Sequence, residues 1–438
     1  MKRLLAAVSV LVAAFLFTAC PRLEAGDAWP SFQNGGTVSL SPSSPVELGE
    51  LEWQIDLKGY GQSAPIILND QVYVSTVDGD QKDVCLVTAY RLADGRQLWQ
   101  HSMKNASPTK SSSYVSRAAP SPVADESGLI CFFEGGNMVA LTAAGKVRWE
   151  RNLVEDYGSV DARHGLSSSP EQDKDFVYVW VERSDDPYVI CLDKQTGKTK
   201  WKAAGLGATS WASPRLVPVA GGHHLVLSAI GSIVGFDPAT GERLWTFTDI
   251  SGNSTPSPMP LGQGRFLIGA TTGRGESGGG RAADSNGVVE VVKSANEEWT
   301  AQYVWQAKRA TSSFGSPIVH DGIAFFVNRE GVLYGLDVTD GKEIFAKRLK
   351  GSVWATPIGI GNKTFFFGKD GVVQTLTDAR SGQKLATWNN LPQPMAAASD
   401  DPEAPSDGGA VLYAASYVDG KFLLRRGDVL YAVNGEVK

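Results

Sequence analysis

One phrase recurs along this chain and limits its fold more than any other feature. Asp193-Lys-Gln-Thr-Gly197-Lys-Thr-Lys-Trp201 returns as Asp237-Pro-Ala-Thr-Gly241-Glu-Arg-Leu-Trp245, and weaker copies end at Trp99, Trp149, Phe345 and Trp388. Read locally, the phrase is a hairpin. A strand ends at Asp, whose carboxylate accepts from backbone N–H groups two residues on. Gly supplies the positive φ of the turn, and a second strand follows. The Trp four residues past the Gly brings a large rigid face that fits between stacked sheets.

A second phrase alternates with the first: a small residue and a Pro that open a strand, at Ser63-Ala-Pro65, Pro120-Ser-Pro122, Ser168-Ser-Pro170, Ala212-Ser-Pro214, Pro256-Ser-Pro258, Gly315-Ser-Pro317 and Ala355-Thr-Pro357. Two β-rich runs usually follow each, then the turn phrase. Four short strands at a period of roughly 40 to 60 residues match the blades of a propeller. Seven Pro-marked units are visible. An eighth, Val411 to Val433, stops before its fourth strand, while Leu51-Glu-Trp53-Gln-Ile55-Asp-Leu57 is an orphan fourth strand at the other end. If the orphan completes the last unit, the ring closes and leaves no open sheet edge between the termini. The expectation is an all-β fold: a single eight-bladed propeller of four-stranded antiparallel blades over residues 51–438.

The first nineteen residues read as a targeting segment. Lys2 and Arg3 precede the apolar run Leu4 to Phe17, too short to favour a membrane span. Phe17-Thr18-Ala19-Cys20 resembles a bacterial lipobox, which implies lipidation of Cys20. Phe17 stands where such boxes usually carry Leu, so ordinary secretion is the alternative. Pro21 rather than Asp after the Cys implies retention at the outer membrane by the sorting rule of such lipoproteins. Residues 20–50 then read as a tether, and the lipid as the only membrane contact. A 42% hydrophobic composition supplies a large core, and a net charge of −6 with scattered basic residues excludes a nucleic-acid groove. The remaining cysteines, Cys85, Cys131 and Cys191, are odd in number, and Cys131 and Cys191 lie in apolar runs. They read as buried thiols, with one accidental disulfide as the alternative.

In a four-stranded blade the second-to-third and blade-to-blade connections share one face of the disc. The long irregular segments collect there: 78–83, 101–117, 155–166, 271–287 and 391–409. That face is expected to do the protein's work. Around the channel mouth, the position three before the strand-opening Pro holds Trp211, Phe314 and Trp354, with Arg117 and Arg163 near equivalent places. Aromatic residues with Arg are the types found in binding hot spots, and packing between blades is the alternative. Other motifs carry less. Gly273 to Arg281 is glycine-rich but lacks the Lys-Ser/Thr of a phosphate loop. Asp78, Asp80 and Asp83 lack the twelve-residue loop and closing Glu of a calcium hand. The histidines show no metal spacing.

The Asp-x-x-Thr-Gly-x-x-x-Trp phrase resembles the repeat of the quinoprotein (PQQ-like) β-propeller family, which holds pyrroloquinoline-quinone (PQQ) dehydrogenases and outer-membrane lipoproteins of the BamB type. Ala28-Trp29-Pro30-Ser31-Phe32 resembles the opening of such chains. In character the resemblance is closest to BamB. It implies a non-catalytic periplasmic scaffold, with an envelope complex such as the barrel-assembly machinery as partner and no cofactor. The dehydrogenase alternative would need PQQ, calcium, a catalytic Asp, a Trp beneath the quinone and often an adjacent Cys pair. Trp211 or Trp354 could serve as the stacking base and Asp161 or Asp284 as the acid. The chain has no adjacent cysteines and no evident Glu/Asn/Asp cage for calcium. Binding of a small ligand or peptide at the channel mouth is a third alternative.

Overall fold

The structure is a computed structural model that describes residues 23–24, 28–42, 45–111, 115–271, 282–392 and 411–437. The expected lipidation site Cys20 and the expected targeting segment before it, the glycine-rich stretch 273–281 and most of 391–409 lie outside the described residues.

Eight four-stranded antiparallel blades follow one another along the chain, seven of them built from consecutive strands. We number them blades 1 to 8: residues 66–104, 123–152, 171–204, 215–247, 259–306, 318–348, 358–388 and, last, 412–437 with 46–56. The eighth blade is the split one. Val429–Val437 pairs with Val46–Asp56, with Ala432 opposite Trp53, so the orphan strand expected from the sequence closes the ring.

Middle strands such as Gly128–Phe132 and Asn137–Leu141 are buried at every residue because neighbouring blades cover both their faces. They read as continuous apolar runs rather than alternating ones. Outer strands such as Thr199–Ala204 alternate between half-buried and exposed. Cys85, Cys131 and Cys191 are free, buried thiols, each pushed up in pKa by burial.

Two rings of contacts join each blade to the next. The outer ring is made of tryptophans. Trp149 of blade 2 lies over Gly197 of blade 3, so closely that a Cβ on that glycine would stand 2.6 Å from the indole. Its Nε1 donates to the Lys194 carbonyl in the same turn at 2.9 Å. The glycine of the phrase therefore serves twice, allowing the positive φ of the turn and admitting the neighbour's ring. Trp53, Trp99, Trp201, Trp305 and Trp388 donate in the same way to Leu92, Ala143, Pro238, Val338 and Gly49 of the following blade.

The inner ring is made of hydroxyls at the residue before the strand-opening Pro. The Ala64 N–H donates to Ser121 Oγ, Ser121 to Ser169, Ser169 to Ser213, Ser213 to Ser257, Ser257 to Ser316 and Ser316 to Thr356, at 2.8–3.2 Å. The collar stops where Ala415 and Ala64 occupy the equivalent places. There Ser416 Oγ donates to the Pro65 carbonyl, and buried Arg425 donates to Ser63 Oγ and the Ser75 carbonyl. Burial pushes the Arg425 guanidinium down to about 10.

The two rings complement each other. Blades 4 and 6 lack the tryptophan link to the next blade: Trp245 lies over Gly235 and Phe345 over Gly335 of their own sheets. Those two interfaces are among the ones the collar joins, through Ser213–Ser257 and Ser316–Thr356. The two interfaces without a collar hydroxyl, 7 to 8 and 8 to 1, both carry a tryptophan link.

Part of the stretch expected to be a tether is inside the ring. Ala28–Trp29 pairs antiparallel with the first strand of blade 1, and Ser39–Ser41 pairs parallel with that of blade 7. Between them Phe32–Gly36 forms a tight turn. Trp29, Val38 and Leu40 are buried, which a free linker would not allow. Their apolar side chains and the unpaired edges of the inner strands explain the difference: the stretch ahead of the propeller satisfies both by lying in the channel.

Candidate functional site

The inserted turn is the floor of the site. Gln33 at its tip has a φ of 55° and donates through Nε2 to the collar hydroxyls of Ser316 (3.0 Å) and Thr356 (2.5 Å). Its Oε1 accepts from Arg215 at 2.5 Å, and the same guanidinium donates to the Phe32 carbonyl at 3.1 Å. Arg215 and Glu171, from the first strands of blades 4 and 3, form a buried ion pair 3.3 Å apart beneath this tip. Burial pushes the Glu171 carboxyl up and the Arg215 guanidinium down, and their mutual attraction opposes both shifts. Such a pair holds only while its polar neighbours remain in place, so the inserted turn and the channel wall fix one another.

Above the floor a cavity of about 400 Å³ opens toward the long-loop face. Its wall has two tiers. The lower is the collar: Ser169, Ser213, Ser257, Ser316 and Thr356. The upper holds the residues two positions before each collar residue: Gln62, Ala119, Ser167, Trp211, Thr255, Phe314, Trp354 and Tyr413. This tier is lopsided. Blades 6, 7 and 8 contribute Phe314, Trp354 and Tyr413 in sequence, with ring centroids 4.3 and 6.3 Å apart. Tyr60 continues the row 6.4 Å from Tyr413, their hydroxyls 3.1 Å apart, and Trp211 stands in the blade 4 position. Phe314 is 42% exposed, which few large apolar side chains in this molecule are.

The five expected site residues fall into three places. Trp211, Phe314 and Trp354 line one cavity. Arg117 lies outside its wall and stacks on Tyr60, its guanidinium carbon 3.5 Å from the ring centre. Arg163 is exposed in a smaller adjoining hollow with Glu182 and Arg183, which meets the main cavity at Trp211. Asp161 and Asp284 are exposed and line neither space. Sequence reasoning missed Tyr413 because Ser416, not Pro, follows it three residues on. It also missed the hydroxyl collar, although Ser or Thr stands directly before six of the seven strand-opening Pro residues.

Among the described residues no Asp, Glu, Lys or Arg lines the main cavity. Among the described residues no group of His, Cys, Asp and Glu has the arrangement of a metal site, and no helix is long and apolar enough to cross a membrane.

A closed ring of eight four-stranded blades, linked by Trp–Gly contacts and holding a lined central cavity, defines a β-propeller of the quinoprotein-repeat class. Within that class the chain belongs to the family described as outer membrane protein assembly factor BamB, whose model matches residues 45–180, 158–287 and 285–434 in turn. Solved structures similar to it include BamB from Moraxella catarrhalis, 14% identical with a TM-score of 0.59, covering 89% of this chain and 99% of that one. The quinohemoprotein alcohol dehydrogenase from Comamonas testosteroni is 13% identical with a TM-score of 0.57, covering 94% and 81%. The computationally designed Ika8 protein is 12% identical with a TM-score of 0.60, covering 88% and 100%. At these identities the likenesses establish the fold, which assembly factors, oxidoreductases and a designed protein share. A search of curated proteins finds no match.

Proposed function

We propose that this chain is a non-catalytic scaffold of the bacterial envelope that docks a protein complex on its mouth face, with outer-membrane protein assembly as its setting. The aromatic arc Phe314–Trp354–Tyr413, in a cavity that no described Asp, Glu, Lys or Arg lines, carries the reading. Aromatic anchors beside a pocket, held on a rigid frame, dominate the energetics of protein docking. The collar and the inserted turn supply that rigidity. The family description supports the setting. Lipidation at Cys20 and retention at the periplasmic face of the outer membrane complete the proposal, and the barrel-assembly machinery is the partner it names.

The wall chemistry also bears on a quinone cofactor held over calcium. Calcium takes six to eight oxygens, with carboxylates prominent among them. This wall offers hydroxyls and aromatic rings, and Glu171 is engaged with Arg215 beneath the floor. That donor set does not fit the ion, so no catalytic step is assigned.

The test is crosslinked capture from envelope membranes, with captured proteins identified by mass spectrometry. Wild type is compared with a variant in which Trp211, Phe314 and Trp354 are all Ala. A barrel-assembly component captured by wild type and lost by the variant supports the reading. Equal capture by both moves the docking surface elsewhere on the disc. Failure of wild type to capture such a component, together with a quinone absorbance band and dye-linked alcohol oxidation on adding PQQ, replaces the scaffold by the oxidoreductase.

A further inference from the structure

We infer that Gln33, at the tip of the inserted turn, is the positioning residue of the docking site. It fixes the stacked pair Phe314 and Trp354 from below, so the mouth face is competent only while residues 28–41 are seated in the channel. This rests on the docking reading above and names what controls that site.

The seam between blades 6 and 7 is weakly joined by both rings. Blade 6 has no tryptophan link to blade 7, because Phe345 lies over Gly335 of its own sheet. The collar bond across the seam, from the Ser316 N–H to Thr356 Oγ1, is 3.2 Å long, against 2.8–3.0 Å for the others. Yet the aromatic anchors meet across this seam, Phe314 from blade 6 and Trp354 from blade 7, with ring centroids 4.3 Å apart. Phe314 stands two residues before Ser316 and Trp354 two before Thr356, so the spacing of the two collar residues sets the spacing of the two rings. The seam between blades 4 and 5 also lacks a tryptophan link, but there the upper tier has Trp211 beside Thr255 and no aromatic pair to hold.

Gln33 bridges that seam. Its Oε1 accepts from Arg215, which can only donate, so the amide has one orientation and its Nε2 protons go to Ser316 Oγ and Thr356 Oγ1. Ser316 Oγ also accepts the Ser257 N–H, and Thr356 Oγ1 the Ser316 N–H. Each hydroxyl oxygen therefore accepts two bonds, one from the preceding blade and one from Gln33. A single planar amide ties blades 6 and 7 together and anchors both to Arg215 of blade 4. The turn behind it is held by the wall: the Pro30 carbonyl accepts from Ala124 of blade 2, and the Val38 and Leu40 carbonyls accept from Gly359 and Gly361 of blade 7. Gln33 and Asn34 stand at φ of 55° and 50°, a left-handed stretch that such residues keep only when their surroundings impose it. Withdrawal of the turn would relieve that strain and release the seam together, so the seating of residues 28–41 and the geometry of the anchors form one equilibrium.

The test is fluorine NMR of the full chain carrying fluorotryptophan, with the Trp354 signal assigned by its absence from Trp354→Phe. Gln33→Met keeps the length of the side chain and removes its hydrogen bonds. Thr356→Val removes the other end of the same bridge and serves also if Gln33→Met does not fold. Ser121→Ala breaks the collar bond between blades 1 and 2 and is the structural comparison. Gln33→Met and Thr356→Val are each expected to shift or broaden the Trp354 signal, and to weaken capture of the barrel-assembly component about fivefold or more. Combined, their effects should not add, because both remove one bridge. Ser121→Ala should lower stability in denaturant unfolding and leave signal and capture unchanged. An unmoved Trp354 signal in Gln33→Met overturns the proposal, as do additive effects of the two bridge variants. Equal disturbance by Ser121→Ala overturns it too, since the cause is then general loosening of the ring. If capture needs Trp211, Phe314 and Trp354 but is indifferent to Gln33→Met, the docking face stands and its control by the inserted turn falls. If capture never depends on those three aromatics, the docking reading falls and the control with it.

Discussion

The outer tryptophan ring and the inner hydroxyl collar do the same mechanical work, joining each blade to the next, yet only the collar has hydrogen-bonding capacity left over. An outer Trp has one N–H, and in the linked blades that N–H goes to the neighbour's carbonyl while the ring packs on the neighbour's turn. A collar hydroxyl accepts one N–H from the blade before, and its own proton has no acceptor among the described residues. Apolar packing saturates, whereas a hydroxyl can hold the frame and still offer a bond to a ligand. Two rings of different chemistry thus coexist in one repeat.

Removing one outer staple gives the largest expected effect. Trp149→Ala empties a buried site and orphans the Lys194 carbonyl, so a loss of about 3–5 kcal/mol is expected, measured by denaturant unfolding. Gly197→Ala attacks the same contact from the other blade, setting a methyl against the Trp149 indole at a φ of 69°. A loss of about 1–3 kcal/mol is expected from overpacking, and a Trp149→Ala background should reduce that loss because the clashing ring is gone.

The collar should respond more weakly. Ser213→Ala leaves the Ser169 N–H without its acceptor, at about 1–2 kcal/mol, whereas Ser213→Thr keeps the bond and most of the stability. If Ser213→Ala costs as much as Trp149→Ala, the distinction between the rings fails.

Blade 4 sharpens the comparison, because its Trp245 donates to His224 Nδ1 in the same sheet rather than to blade 5. Burial holds His224 down at about 4, below its ordinary 6.5. Above pH 6.5 neither the folded nor the unfolded chain carries a proton there. As the pH falls from about 6.5 to about 4, only the unfolded chain takes one up, so stability declines across that window and levels off below it. His224→Gln should flatten this part of the stability profile relative to wild type, and an unchanged slope would assign it to other groups. The smallest effect on stability belongs to the mouth: Phe314→Ala should cost about 1 kcal/mol or less, because the side chain is 42% exposed and loses chiefly its stack on Trp354, while capture of the docked partner declines.

Most of the frame was legible in the chain. The Trp–Gly phrase gave the outer hairpins, the small residue before Pro gave the first strand of seven blades, and Leu51 to Leu57 gave the closing strand that pairs with Val429–Val437. Trp211, Phe314 and Trp354 were found by their offset from the Pro and do line one cavity. Arg117 and Arg163 sit at looser offsets, and the structure sends one onto Tyr60 and the other into a neighbouring hollow. Tyr413 escaped because blade 8 lacks the Pro that marks the offset. The inserted turn escaped because residues 28–41 have neither repeat nor periodicity to announce where they go.

By itself the sequence determined the number of blades, their strand order and the closure of the ring. Those depend on turns and alternations within a few residues of one another and on a motif repeated often enough to be counted. Only the tertiary structure decided which groups share the mouth and which of their bonds are already made. Gln33 reaches Ser316, 283 residues away, and Trp149 meets a turn some 45 residues on. Whether a polar group is spent or free depends on partners brought together by closing the ring, and no local pattern encodes them.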